Sequence, residues 1–382
     1  MRELFCYEVT ELDLLEMGRA LARCPGSETR RQLRKSWLWT SLLLTGIFAA
    51  VILWMWPDIS RLGWQKFGVF WLVPPLALVF SWFQKPQSAE QALVHTSRLQ
   101  KKAAGLDPAA PELHRVCLEG AEYLRYIGQR VITAIPLAAL RAAKPAAGGG
   151  VVLLFNTHRA DYLPARLFGP SYTQEDFCSW ITAQAAEARK TPRTLDGLAP
   201  DAGAGSQAAY LLRFSLTGRQ AVRLLSCGGK RLSCTPKNLK LVLLLTAILP
   251  ALRLIPFLLA FGPVWGLLAA LLLWGGFLLF VLGVFLLVTS PVANWLRLRK
   301  GRLDTLLGPQ QLIFTQEQVT VRRAAGWDTA GYSLYTQLLE TPEAWFLVSQ
   351  GSTGLLPIPK EALPAEQHAA FAGFLRARLG GG

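Results

Sequence analysis

The chain runs through one order of segments twice, and that repetition constrains its fold more than any local motif does. The stretch "DYLPARLFGP", Asp161 to Pro170, returns as "LLPIPKEALP", Leu355 to Pro364. Placing Pro164 on Pro359 pairs Leu163 with Ile358, Leu167 with Ala362 and Phe168 with Leu363. After one residue of slippage, Phe177, Trp180 and Ile181 fall on Phe371, Phe374 and Leu375. Upstream, "VVLLFN" from Val151 matches "WFLVSQ" from Trp345, and "RVCLEGAEYLRY" matches "LIFTQEQVTVRR" as two short strands around a polar turn. Before these, "FCYEVTELDLLEM" from Phe5 corresponds to "LRFSLTGRQAVRL" from Leu212, each a strand passing into a helix. The expected order in each half is strand, helix, apolar hairpin, several strands, helix.

The hairpins come from four long apolar stretches, at residues 37–56, 67–83, 241–261 and 264–289. At 1.5 Å per residue each is long enough to cross a hydrocarbon core of roughly 30 Å. Tryptophans at the ends of the first pair suit the water–lipid boundary, and Pro74 and Pro75 should kink the second span. With 52% hydrophobic and 17% charged residues and a mean hydropathy of +0.29, the chain is too apolar for an ordinary soluble protein. The expectation is an α+β integral membrane protein with four transmembrane helices in two hairpins. The first span starts late, behind a polar segment, unlike a cleaved signal peptide.

The net charge of +15, from 40 basic and 25 acidic residues, is placed by position. Arg30, Arg31, Arg34 and Lys35 precede the first hairpin and Lys85 follows it; Lys237 and Lys240 precede the second, and Arg297, Arg299, Lys300 and Arg302 follow. The turns within the hairpins are poorer in charge. By the positive-inside bias both termini and the long middle region face the cytoplasm, which predicts a multi-pass protein of the plasma membrane. The basic belt is then read as contact with anionic lipid headgroups, worth about 1 kcal/mol per Lys or Arg near the surface. No basic helix with interleaved aromatics stands apart from it, so nucleic acid is not an expected partner.

Short β-prone runs over 112–169 and 310–360, separated by turn residues, predict a small β-rich domain in each half. Helices over 173–189 and 364–378 close them, the first with Thr173 and Asp176 in a capping-box arrangement. Its stripe of Phe177, Trp180, Ile181 and Ala188 is read as covering the open end of a sheet, with a helix lying on lipid as the alternative. The predicted organisation is a first unit over 1–190, a flexible Gly/Ala/Pro-rich linker over 191–207 and a second unit over 208–382.

A membrane hairpin followed by short strands that finish "WFLVSQGSTGLLPIPKEAL" resembles the YcxB-like proteins, most closely from about Leu212 to Leu363. The first half departs from the pattern, with Pro164, Ala165 and Arg166 where the motif has Pro and Lys. The resemblance implies two tandem units, each a pleckstrin-homology-like half-barrel closed by a helix, and it transfers no catalytic residue. Duplication of one unit, giving an intramolecular pseudo-dimer of units able to form homodimers, explains the repetition.

The residues offer little chemistry. His158 and Asp161 stand close in "NTHRADY", but three apart on a strand they face opposite sides, so a solvated turn is expected in place of an acid–base pair. His95, His114 and His368 are isolated, with no metal-ligand spacing. Cys6, Cys24, Cys117, Cys178, Cys227 and Cys234 include no C-x-x-C pair and read as reduced, small hydrophobes, with a metal site at Cys227 and Cys234 as the alternative. The glycine run at 148–150 leads into a strand and lacks the P-loop lysine. Arg253, the one ionisable residue inside an expected span, reads as snorkelling to the outer interface, with an anion or headgroup contact as the alternative. No cofactor or catalytic set is expected. The functional expectation is a non-enzymatic membrane protein presenting β-rich domains to a protein partner, peptide or lipid headgroup; a small transporter or channel and a lipid-modifying enzyme are the alternatives.

Overall fold

The computed structural model describes residues 1–27, 29–30, 90–128, 131–146, 148–155, 159–190, 208–233, 240, scattered positions of 263–278, 291–299, 303, 306–349 and 355–379. They fall into two units: Met1–Gly197 with Ala325–Gly331, and Leu198–Ala324 with Tyr332–Gly382.

In the first unit, strand β1 (Arg2–Val9) runs into helix α1 (Glu11–Arg23). Thr10 makes the join a reciprocal cap, its hydroxyl accepting from the Asp13 N–H while the Asp13 carboxylate accepts from the Thr10 N–H. A helix α2 over 90–103 follows. Strands β2 (Glu112–Glu119), β3 (Glu122–Ile127) and β4 (Val131–Pro136) form an antiparallel meander beside β1. Strands β5 (Leu140–Pro145), β6 (Val151–Phe155) and β7 (Ala160–Leu163) form a second antiparallel sheet.

Helix α3 (Gln174–Lys190) closes the unit, capped by Thr173 and Asp176. Its buried Phe177, Cys178, Ile181 and Ala185 recur at helical spacing and enter the core formed by Val116, Leu118, Ile135, Leu153 and Leu163. Each fully buried large side chain there contributes about 1.5–3 kcal/mol. Strand β6 is apolar at every position because both its faces are covered. Val151, Leu153 and Phe155 join that core, while Val152 and Leu154 pack with Leu21 of α1 and with Cys24 at its C-terminal cap.

The last strand of this unit comes from far along the chain. Gly326–Gly331 pairs antiparallel with β4, Trp327 opposite Ala134 and Asp328 opposite Thr133. Gly326 has a φ of 123°, and a Cβ there would overlap the carbonyl oxygen of Ala134, so only glycine fits.

The second unit begins with β8 (Tyr210–Leu216) and α4 (Gly218–Ser233), joined by a cap between Thr217 and Gln220. After helix α5 (Pro291–Arg299), strands β9 (Gly308–Phe314) and β10 (Gln318–Arg323) pair antiparallel, with β8 on the other edge of β9. Numbering the strand at Gly326–Gly331 as β11, a three-stranded sheet follows of β12 (Tyr335–Glu340), β13 (Ala344–Ser349) and β14 (Leu355–Pro359), closed by α6 (His368–Leu379). Strand β13 repeats the logic of β6. Trp345 and Leu347 face a core with Phe371 and Leu375 of α6, and Ala344 and Phe346 pack with Leu224 of α4. Gly228 of α4 lets that helix approach, since a Cβ would lie 2.9 Å from Phe346 Cε1.

The expectation of a four-helix integral membrane protein is corrected. Among the described residues no helix is long and apolar enough to cross a membrane. The stretches at 37–56, 67–83 and 241–261 lie outside the described residues, and 264–289 is described only at scattered helical positions. The longest helix with described bounds, α3, has 17 residues and carries Glu175, Asp176, Glu187, Arg189 and Lys190. In the two units the buried apolar residues lie on strands and helix stripes that cover one another. The multi-pass placement and the cytoplasmic termini derived from those spans fall with them. The architecture is α+β, built on antiparallel sheets.

Candidate functional site

Strand alternation in the first unit aims polar side chains at its interior. Tyr123, Arg125 and Ile127 of β3 share one face with His114 and Val116 of β2, and Asp161 of β7 faces the same way, opposite the core residue Leu153. Asp161 is only 4% exposed. One carboxylate oxygen accepts from the Tyr162 N–H at 2.7 Å and pairs with the Arg125 guanidinium; the other accepts from the Tyr123 hydroxyl at 2.5 Å. Arg125 also donates to Nδ1 of the buried His114 at 2.9 Å. Because a guanidinium only donates, Nδ1 is the acceptor and the ring proton sits on Nε2.

This network is the floor of a cavity of about 380 Å³. Val9, Leu14, Met17 and Leu93 give it an apolar wall from β1, α1 and α2. Two ion pairs hold α2 to α1: Arg19 to Glu90 at 3.1 and 3.2 Å, and Arg98 to Glu11 at 2.6 and 2.7 Å. At the rim, Arg159 grips Asp328 of β11 through both nitrogens, one bond being 2.8 Å. Lys101 of α2 donates to the Ala110 carbonyl at 2.6 Å. Burial pushes the Tyr123 hydroxyl well above its usual range, with the positive charge of Arg125 opposing, and it raises Tyr7 for the same reasons. The Tyr7 hydroxyl and Arg125 Nε are buried with no hydrogen-bond partner. A network satisfied only in part strains stability, because each unpaired buried group has lost its water.

The repeat shows that this fold does not need the network. Leu153 opposes Asp161 as Leu347 opposes Leu356, and Val116 opposes Arg125 as Leu312 opposes Val321. By the same registers Tyr123 corresponds to Val319 and His114 to Gln310. Three of the four polar positions are thus apolar in the second unit.

Of the basic residues singled out in the sequence, Arg30 is exposed and donates to the Arg23 carbonyl at the end of α1 at 3.1 Å. Arg297 and Arg299 are exposed on α5; Arg297 donates to Asn294 at 3.0 Å and Arg299 lies 3.9 Å over the Trp295 ring. Arg31, Arg34, Lys35, Arg253, Lys300 and Arg302 lie outside the described residues, as do His158 and Cys234.

Asp161 is not in a solvated turn, and His114 is not isolated. What links Tyr123, Arg125, His114 and Asp161 is strand register, which no local spacing displays. A column-by-column reading of the two repeats would have flagged Asp161 against Leu356. Among the cysteines, burial holds the Cys24, Cys117 and Cys178 thiols above their usual range, which leaves them poor nucleophiles. Among the described residues no cluster of His, Cys, Asp and Glu is arranged to hold a metal. No family model, curated protein or solved structure matches the chain, so its resemblance to the YcxB-like proteins rests on the sequence motifs alone.

Proposed function

We propose that the protein is a non-catalytic binding protein whose ligand site is the cavity of the first unit. The ligand is a small amphipathic molecule: its polar end meets the floor of Arg125, His114 and Asp161, and its apolar end lies along Leu14, Met17 and Leu93. The observation that carries this reading is a buried, incompletely satisfied ionic network at positions where the same fold, in the second unit, holds Val319, Val321 and Leu356. Proteins retain such networks for a task other than stability. The mixed lining supports binding, since pockets for small molecules combine apolar walls with a few converging polar groups. Binding is favoured over catalysis because Asp161 is already engaged by three donors.

The test is fluorescence titration with the amphipathic probe anilinonaphthalene sulfonate. One saturable site per chain is expected, lost when Tyr123→Phe, Arg125→Val and Asp161→Leu are combined to copy the apolar character of the second unit. Equal binding by that variant would show the cavity is not the site.

A further inference from the structure

The second unit carries a different surface, built from one face of α4. Arg219, Val222, Arg223, Ser226, Cys227 and Lys230 recur at intervals of three and four and line one cavity of about 380 Å³, so they form a single stripe. The facing wall is α5, with Trp295 and Leu298. The two helices are joined by a neutral bond: Asn294, 3% exposed, donates to the Ser226 hydroxyl at 2.9 Å, and that hydroxyl donates to the Val222 carbonyl at 2.7 Å.

Charge is the distinguishing feature. Helices α4 and α5 carry Arg219, Arg223, Lys230, Arg231, Arg297 and Arg299 and no acidic residue. Arg223 is paired with Glu343; among the described residues Arg219 and Lys230 have no ion-pair partner. The first unit handles the same place differently. Its α1 has Glu16 where α4 has Arg223, and its helix pair is locked by Arg19–Glu90 and Arg98–Glu11. Among the described residues the second unit therefore holds a positive groove beside an apolar wall, with Arg219 and Lys230 lacking an ion-pair partner.

We infer that this groove docks an acidic peptide segment with an apolar anchor. Arg219 and Lys230 are eleven residues apart, about 16 Å along the helix at 1.5 Å per residue. That is too far for one small anion, but it equals about five residues of extended chain at roughly 3.3 Å each. A segment of six residues with carboxylates at both ends matches the two free cations, and an apolar residue between them meets Trp295 and Leu298. Charge complementarity of this kind steers encounter and sets register. The site is independent of the cavity in the first unit.

The test is fluorescence anisotropy of the full chain with a labelled acidic hexapeptide, DLLAED, and its basic counterpart, KLLAKK. Saturable binding of the acidic peptide alone is expected, weakened at least tenfold by Arg219→Gln with Lys230→Gln and unchanged by Arg376→Gln, which lies on another helix. Binding should also fall as ionic strength rises, because the free cations are exposed. Absence of binding, equal binding of the basic peptide, or indifference to the double substitution overturns the inference. So does the case in which duplex DNA or phosphatidic-acid vesicles show the sensitivity to the double substitution and the acidic peptide does not.

Discussion

The floor of the first unit's cavity supplies the sharpest prediction, because removing part of it and removing all of it should have opposite consequences. Asp161→Leu alone strands the Arg125 charge, whose side chain is only 12% exposed, and leaves the Tyr123 hydroxyl without its acceptor. Breaking a buried pair from one side costs about 3–5 kcal/mol, and an orphaned buried hydroxyl adds about 1–3 kcal/mol. A net loss of about 4–8 kcal/mol, in a unit of about 200 residues, lowers Tm by roughly 8–32 °C at 2–4 °C per kcal/mol. Combining Asp161→Leu with Arg125→Val and Tyr123→Phe removes charge and hydroxyl together. Replacing a buried pair by apolar groups of similar volume is neutral or stabilising, so the triple variant should melt within about 4 °C of the parent. Scanning calorimetry, with urea unfolding as a second probe, makes the comparison. A triple variant as unstable as the single one would mean that the network holds the fold together, and the argument for a ligand site would lose its foundation.

Gly326→Ala should destabilise the first unit by about 1–3 kcal/mol from backbone strain alone, with further loss from the overlap with Ala134; hydrogen exchange should show faster opening of β4. The Asp13 carboxyl is held below its ordinary value of 3.8, since the bonds from Thr10 and Arg166 outweigh the upward push of burial. Its contribution is therefore complete above pH 3.8 and is lost as pH falls through the depressed value. An acid-unfolding series should be shallower in Asp13→Asn than in the parent. The Tyr162 hydroxyl is pushed up to about 12, by burial first and then by Glu16 and Asp13. It stabilises the fold fully below pH 10 and ceases to do so as pH rises through 12. Ultraviolet titration of the parent against Tyr162→Phe should show one phenolate missing from the group that ionises above pH 11.

Periodicity made part of this molecule legible. Strand β6, the stripe of Phe177 and Ile181 and the pairing of Leu163 with Ile358 follow from alternation and helical spacing, because burying an apolar face leaves a periodic trace. The cavity floor left no such trace. His114, Arg125 and Asp161 stand on three strands, and only the β2–β3 and β6–β7 registers turn them to one interior. The stripe from Arg219 to Lys230 is readable at helical spacing, whereas Arg297 and Arg299 stand out only by their place beside the apolar stretches. Length and hydropathy alone mark the long apolar runs as membrane spans. The described helices do not match that reading, since α1, α3 and α4 each carry charged residues, and the runs at 37–56, 67–83 and 241–261 lie outside the described residues.

Strand β11 also bears on how the chain is made. The residues that complete the first unit's sheet lie some 195 positions beyond their partners on β4. At a synthesis rate of about 5–20 residues per second, the ribosome delivers them roughly 10–40 s after β4 has emerged. During that interval the edge of β4 has open backbone donors and acceptors, the kind of template that recruits foreign strands. A fragment ending at Gly197 keeps that edge permanently. Such a fragment should aggregate, and adding a synthetic peptide of residues 325–331 in trans should restore its solubility.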